Sequence, residues 1–460
     1  MWPAAPKAGF PVTYPLNSFA ITNSVDNFIK APYTMNMNFS WGRDLGHGLF
    51  VQASYVGRLS RDSLIQRDMA MPTNLNDPAS GMTYFQAMQK MATYTDITDA
   101  ADRSNSWKSI APIPFFENMW PGAAGNGYTA TQWITNDYLT NTAKGDFTTT
   151  LQAMDFTCVT GGNTYRSTTR VRALNCSRLG QDALFSNQFG ALAAWSSIAG
   201  GNYHAAQFTL RKRFSNSMTL DFNYTLSKSI DLGSGNESSG SFSGGFITNS
   251  WAPGDQRAVS DYDTLHSINA YGAYALPVGR GMMFGNKMNK AFDAIIGGWQ
   301  LSGIYRMSSA GLTSVNTGSV WPTNWQLSNP ATPTGLVFPN FSLNKNGVIR
   351  TTAAVTAWAT DADRLTSELA YRQSFPGEFG LRNNIRTWGT WNVDSVVSKS
   401  FKMPFNESHT FTFRWESYNL FNHPVMGSPG FSMTSTSTWG RISSQSNSPR
   451  QMQFGLRYDF

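Results

Sequence analysis

The chain has 460 residues, of which 41% are hydrophobic and 14% aromatic but only 14% charged, with a formal net charge of +7. No run of about 18 apolar residues occurs, which excludes a transmembrane helix, and the basic residues form no stripe of the kind that binds nucleic acid. A polar chain that is poor in charge and rich in Gly and aromatic residues is typical of a membrane β-barrel. A soluble all-β domain shares the Gly and aromatic content and is the alternative.

The N-terminal part contains the first predicted hairpin. The first six residues lack the basic and apolar regions of a signal peptide, and residues 14–30 look loop-like. A secreted membrane protein needs a signal peptide, so either the sequence begins within a longer protein or the membrane interpretation is wrong. Period-2 alternation then starts at Tyr33 and continues to Trp41. This alternating segment and residues 49–56 together predict a hairpin of two membrane-length strands.

Residues 58–190 differ in character from the hairpin. Pro, Asn, Asp, Gly and Thr dominate, and a connection of this length predicts a large extracellular loop region or small subdomain. Cys158 and Cys176 both lie in it, at a spacing that suits a loop-closing disulfide in an oxidising compartment; two free thiols are the alternative. The apolar segment 191–198 would break the alternation of strand directions, so we interpret it as an arm of an outer hairpin.

Seven further spanning strands are predicted from alternation, at residues 203–214, 217–228, 266–277, 298–308, 391–401, 409–419 and 450–460. Residues 310–389 form a second long extracellular loop. Short and long connections alternate, as do the periplasmic turns and outer loops of bacterial barrels. Nine strands is an odd number, whereas single-chain bacterial barrels close with even numbers. The fold class expected is therefore all-β: a partial antiparallel transmembrane β-barrel with about nine or ten strands visible. Its edge at 450–460 is either exposed or closes onto residues 31–42.

Few side chains indicate chemistry. Four charged residues alternate away from the apolar side of the predicted strands: Asp221, Arg306, Arg414 and Glu416. An Arg or Lys on the lipid face costs about 2–4 kcal/mol at the bilayer midplane, so we predict that these residues face a wet lumen. There they either line the lumen or contact a ligand or plug. The five histidines are scattered, and no catalytic, cofactor or metal site is predicted.

The last strand alternates to the final residue, with Phe454, Leu456, Tyr458 and Phe460 on its apolar side. It resembles the C-terminal strand of bacterial outer-membrane barrels. That resemblance implies that these four residues form the assembly signal read by the barrel-assembly machinery.

Several further segments, in order from residue 31 to 460, resemble TonB-dependent transporters of the Oar-like type. They include residues 224–230, 297–303, 418–424 and 449–456. That family has a plugged barrel of about 22 strands. The resemblance implies that residues 1–460 are the C-terminal part of such a barrel, without its plug domain and signal peptide, in the outer membrane of a Gram-negative bacterium.

The implied function is uptake of a large solute, such as an oligosaccharide, peptide or chelate. The implied partners are outer-membrane lipid, the barrel-assembly machinery, the unknown solute and the TonB complex, the last through the parent protein's N-terminal part. No enzyme activity is expected. An outer-membrane adhesion or surface-interaction protein without active transport is the alternative, and a soluble carbohydrate-binding β-domain is the third interpretation.

Overall fold

The computed structural model describes residues 13–16, 18–94, 106–140, 146–156, 158, 174–214, 217–234, 246–318, 322–323, 329–349, 352–403 and 406–460. Its strands are β1 (Ala20–Val25), β2 (Tyr33–Asp44), β3 (Leu49–Asp68), β4 (Asn76–Asp77), β5 (Met82–Thr83), β6 (Phe189–Phe214), β7 (Met218–Asp231), β8 (Ala258–Val259), β9 (His266–Ala275), β10 (Trp299–Ser308), β11 (Leu312–Thr313), β12 (Thr332–Pro333), β13 (Asn344–Ile349), β14 (Thr352–Thr356), β15 (Tyr371–Arg372), β16 (Ile385–Arg386), β17 (Thr390–Met403), β18 (Asn406–Tyr418), β19 (Arg441–Ile442) and β20 (Gln451–Asp459). Its α-helices are α1 (Tyr84–Thr93), α2 (Pro114–Met119), α3 (Ala130–Thr140), α4 (Phe147–Met154), α5 (Lys290–Ile296) and α6 (Asp361–Leu369).

One large sheet dominates the fold. Its main path runs β2-β3-β6-β7-β9-β10-β17-β18-β20, and every neighbouring pair on this path is antiparallel. These nine strands are the nine that alternation predicts, in the predicted order. In the described part of the chain, β2 and β20 each pair with one strand, so the sheet is open. Of the two alternatives predicted for residues 450–460, the described strands therefore show the exposed edge and not closure onto residues 31–42.

The two faces of the sheet differ in chemistry, and the apolar one is uncovered. Antiparallel pairing sets side chains of the same face opposite each other, and it aligns Phe39 with Tyr55 and Phe208 with Tyr224. The exposed fractions are 69% for Phe39, 48% for Phe208 and 68% for Phe454. On the other face, by contrast, polar side chains such as Ser227 are buried. This distribution is the inverse of a soluble sheet, whose apolar face packs on a core.

Apart from the β9–β10 connection, short connections and long connections lie at opposite ends of the sheet. The turn end carries the β2–β3, β6–β7, β9–β10 and β17–β18 connections, and the loop end carries the others. No described helix is both long and apolar enough to cross a membrane.

The interpretation of residues 191–198 as a hairpin arm is wrong. They are the first part of the continuous strand β6. Strand β1 pairs with them in parallel, so residues 14–30, which look loop-like in the sequence, contain a strand. Strand β3 likewise continues to Asp68, well inside the predicted loop, past an irregularity at Asp62. In the part of β3 beyond Asp62 and the part of β6 that pairs with it, both faces are covered, since Ala193 and Ser196 of β6 are fully buried. Strands covered on both faces do not alternate, which is why their sequence did not reveal them.

The residues after β3 fold into a helical unit at the loop end with its own core. Helices α1 to α4 bury large side chains completely, among them Met88, Phe116, Ile134 and Phe147. Helix α1 begins with a reciprocal capping box between Thr83 and Gln86. A second apolar cluster, including Trp358, Phe431 and Trp439, joins the connection before β17 to the connection before β20. The long loops are therefore packed units rather than extended chain.

Asp77 links three parts of the helical unit. Its carboxylate accepts hydrogen bonds from the backbone N–H groups of Ala79 and Ser80 and from the side-chain amide of Asn118 on α2. It also forms an ion pair with Arg178 at 3.0 Å. The Ser80 hydroxyl has the largest effect on the pKa of Asp77. Together with the other hydrogen-bond donors it outweighs burial and lowers this pKa from 3.8 to about 2.

Because this pKa is lowered by folding, the stability that Asp77 contributes is fully present above pH 3.8 and is lost as pH falls towards 2. We expect Asp77→Asn to lower the unfolding temperature of the helical unit at pH 6, and the deficit to shrink near pH 2. Far-ultraviolet circular dichroism measures this transition.

Asp182→Asn is the control for Asp77→Asn. Asp182 lies in the same unit, its φ of 59° is one that Asn also adopts, and burial raises its pKa. Removing its charge should therefore not lower the unfolding temperature at pH 6. An equal deficit for Asp77→Asn at both pH values would contradict the assigned role.

Arg382 fixes the 373–389 segment to the end of β7. Its guanidinium donates to the carboxylate and the carbonyl of Asp231, to Ser234 Oγ at 3.4 Å and to Asp261 Oδ1 at 3.1 Å. The side chains of Arg382 and Asp231 are 12% and 10% exposed. This ion pair therefore holds a loop over the loop end of the polar face.

Removing one partner of a buried ion pair costs about 3–5 kcal/mol because the other charge stays buried. We expect Arg382→Met to accelerate amide hydrogen exchange in residues 376–389 and 258–263, measured by mass spectrometry. Arg364→Met is the matched control, since among the described residues the ion pairs of Arg364 lie within α6. Unchanged exchange in Arg382→Met would contradict the anchoring role.

Candidate functional site

The polar face of the sheet carries all four charged candidates from the sequence. Asp221 lies on β7, Arg306 on β10, and Arg414 and Glu416 on β18. They do not form one cluster, because each is paired locally. Asp221 pairs with Arg211 at 2.8 Å, Arg306 with Asp394 at 3.4 Å, and Arg414 with Glu416 at 2.5 Å. The face therefore presents separate, neutralised pairs.

Asp221 is the most constrained of the four. One carboxylate oxygen accepts from Arg211 and from the Tyr271 hydroxyl at 3.0 Å, and the other accepts from Asn223. Thr209 donates to the same Asn223 at 2.9 Å. The network spans β6, β7 and β9, so Asp221 holds three strands in register and has little freedom to bind a ligand.

A cleft of about 390 Å³ opens on the polar face towards the loop end. Strands β6, β7, β9 and β10 and the connection before β9 all contribute to it. Its lining consists of hydroxyl and amide side chains with two tyrosines and one carboxylate: Tyr203, Gln207, Thr225, Ser227, Ser229, Tyr262, Asp263, Thr264, Ser267 and Ser308. A concave surface where several polar groups converge is the usual form of a binding site.

The single carboxylate of the cleft is neutralised. Asp263 Oδ2 is 2.7 Å from Arg386 Nη2, and Asp263 Oδ1 accepts the Ser229 N–H at 2.7 Å. The Ser229 hydroxyl is 2.8 Å from that of Ser260. This edge of the cleft is therefore rigid and carries no net charge.

Other groups of the cleft remain open to a ligand. Within the described residues, the side chains of Tyr203, Gln207 and Thr225 have no hydrogen-bond partner, and the Tyr262 ring is 70% exposed. Such groups can donate to and accept from a polar solute, and a tyrosine can add a flat apolar surface. The arrangement suits a neutral molecule rich in hydroxyl groups.

The sequence contained a signal for this cleft that we did not use. Thr225, Ser227 and Ser229 alternate along the polar face of β7 and continue on Ser267 of β9. The four charged residues predicted on this face lie outside this row of hydroxyl groups. The contribution of Tyr262, which comes from a loop, had no signal in the alternation.

The other candidate residues lie away from the cleft. Cys158 and Cys176 form a disulfide with a Cα–Cα distance of 4.9 Å, next to the helical unit. Phe454, Leu456 and Tyr458 lie exposed on the apolar side of the terminal strand, and Phe460, which follows it, is exposed as well. Within the described residues, no group of three or more His, Cys, Asp or Glu side chains is placed to hold a metal ion.

Comparison with known proteins identifies the family. No curated protein matches the chain. One similar solved structure is the outer membrane transporter YddB from Escherichia coli, with 8% sequence identity and a TM-score of 0.36. The alignment covers 94% of this chain and 33% of that one, so the chain spans about a third of the transporter's length. A family model of the outer membrane beta barrel domain matches residues 2–453. The chain therefore belongs to the outer-membrane β-barrel domain family, and its place is the outer membrane.

Proposed function

We propose that this chain is the barrel part of a TonB-dependent, Oar-like receptor that imports a large, neutral, polyhydroxylated solute, an oligosaccharide. The observation that carries the proposal is the hydroxyl-lined cleft on the polar face, whose only carboxylate is neutralised by Arg386. No catalytic step is assigned to it. The TonB complex and the barrel-assembly machinery are the proposed protein partners.

The lining of the cleft favours an oligosaccharide over the other two solute classes considered. A metal chelate with net charge needs an unpaired charge of opposite sign, whereas Asp263 is already paired. A peptide in an extended conformation is commonly bound along an exposed strand edge, and the cleft lies on a sheet face instead. Hydroxyls of a sugar match the open groups of Gln207 and Thr225, and its apolar ring face matches Tyr262.

The packed loops support a route for uptake that begins at the loop end. Arg382 and Arg386 both hold the 373–389 segment against the loop end of β7 and the connection before β9. In the proposed orientation the loop end faces the cell exterior. A solute entering between the loop units would then reach the cleft before the deeper polar face.

Surface adhesion without transport is the second candidate. It is favoured by the packing of both long loops into units with their own apolar cores, since rigid loops provide stable contact surfaces. The two functions differ in one measurable respect. Adhesion requires binding alone, whereas TonB-dependent uptake requires the proton-motive force.

Tyr262→Ala should weaken oligosaccharide binding about tenfold, which corresponds to about 1.4 kcal/mol, because it removes an exposed ring from the cleft. Tyr274→Ala is the matched control, since that ring lies on the apolar face and is also exposed. Binding of fluorescent oligosaccharides to the gene's full product in detergent, followed by uptake into cells with and without a protonophore, provides the measurement.

Equal loss of binding in both variants, or no oligosaccharide binding at all, would contradict the proposed solute. Binding followed by uptake that the protonophore abolishes supports transport. Binding without any uptake would instead establish adhesion.

A further inference from the structure

One connection at the turn end is far longer than the others. The β9–β10 connection covers residues 276–298 and contains α5, whereas β2 and β3 are joined by residues 45–48. A long turn-end connection is unexpected in a barrel, where the turns on this side are short.

Helix α5 is fixed to the apolar face of the sheet. Trp299 and Lys399 lie opposite each other in the β10–β17 pairing, on the apolar face. Trp299 Nε1 donates to the Ile295 carbonyl at 3.0 Å, and Lys399 Nζ donates to the Ala294 carbonyl at 2.7 Å. These are carbonyls of the last turn of the helix, where a cation is favoured. The helix consequently sits on the side of the sheet that faces lipid.

The connection exposes large apolar side chains. Phe292 and Ile295 are 60% and 65% exposed, and Ile296 completes the i, i+3, i+4 spacing of one helix face. Met283 and Phe284 in the preceding loop are also exposed. None of the side chains of α5 is buried. A fixed helix with an open apolar face needs a partner outside the described residues.

Basic side chains accompany this apolar surface. Arg280, Lys287 and Lys290 all lie in the connection, and none of the three forms an ion pair with a described residue. Asp293 is occupied within the connection, because its Oδ1 accepts the backbone N–H of Arg280 at 2.7 Å. The surface thus combines apolar groups with positive charge, the combination found on elements that lie in a membrane interface.

We propose that the β9–β10 connection is a lipid anchor in the membrane leaflet at the turn end of the barrel. Phe292 and Ile295 insert among the acyl chains, and Arg280, Lys287 and Lys290 contact phospholipid phosphates. Two observations favour lipid over a protein partner. The surface is continuous with the lipid-facing side of β10 and β17 through Trp299 and Lys399, and its charge is complementary to phosphate. The anchor is independent of the solute proposed for the cleft.

The test measures the environment of residue 295 in lipid. Ile295→Cys is labelled with an environment-sensitive fluorophore, and the full chain is reconstituted into phosphatidylethanolamine–phosphatidylglycerol vesicles. Both native cysteines are in the disulfide and do not react. Val337→Cys is the matched control, because it is 84% exposed on a loop-end connection. Quenching by aqueous acrylamide and by lipids with a shallow spin label is measured for both.

We expect the label at residue 295 to be blue-shifted, quenched by the lipid and several-fold less sensitive to acrylamide than the label at residue 337. Equal acrylamide sensitivity at the two positions would overturn the anchor. Protection that disappears at a low protein-to-lipid ratio would also overturn it, since a second copy of the chain would then be the partner.

The phosphate contact is tested with the same label. Lys287→Gln/Lys290→Gln should increase the acrylamide sensitivity of the label at residue 295 in phosphatidylglycerol vesicles. Lys345→Gln, a basic residue of a loop-end connection, should not. No effect of the double substitution would overturn the assignment of these lysines to lipid phosphate.

Discussion

The structure depends on one constraint, the pairing of backbone N–H and C=O groups between neighbouring strands. In lipid no water can satisfy these groups, so a spanning chain must satisfy them internally. In the described sheet, antiparallel pairing does this between β2 and β20, except along the outer edges of these two strands, without using any side chain. The side chains are then free to divide by face, with apolar groups on the lipid side and hydroxyl, amide and paired charged groups on the other. Both the cleft and the lipid anchor follow from that division.

Charged side chains have different partners on the two faces of the sheet. On the polar face, acids and bases neutralise each other, as Arg211 and Asp221 do, and the pairs also connect strands. On the apolar face, Lys399 is satisfied by helix carbonyls and lies 4.8 Å over the Phe401 ring. A cation on this face is therefore tolerated near the turn end because α5 supplies its acceptors.

Alternation made the sheet predictable and also limited what the sequence could reveal. Strands with one lipid face, such as β7 and β20, were found because apolar and polar residues alternate along them. The first part of β6, residues 191–198, was missed because both of its faces are covered, so apolar and polar residues do not alternate there. The cleft was missed for another reason. It is assembled from four strands and from residues 262–264 of a connection, and only the folded structure brings those residues together. The disulfide partners, by contrast, could be proposed from number and spacing alone, since the chain has two cysteines.

The apolar face of this sheet contacts lipid and the polar face contacts water. A cysteine scan along β7 tests this division most directly. Single cysteines at residues 219 to 226 in lipid vesicles are treated with a membrane-impermeant maleimide, to which the disulfide-bonded native pair is inert. The account predicts labelling at Thr219, Asp221, Asn223 and Thr225, and protection at Leu220, Phe222, Tyr224 and Leu226. Uniform labelling, or the opposite alternation, would contradict it.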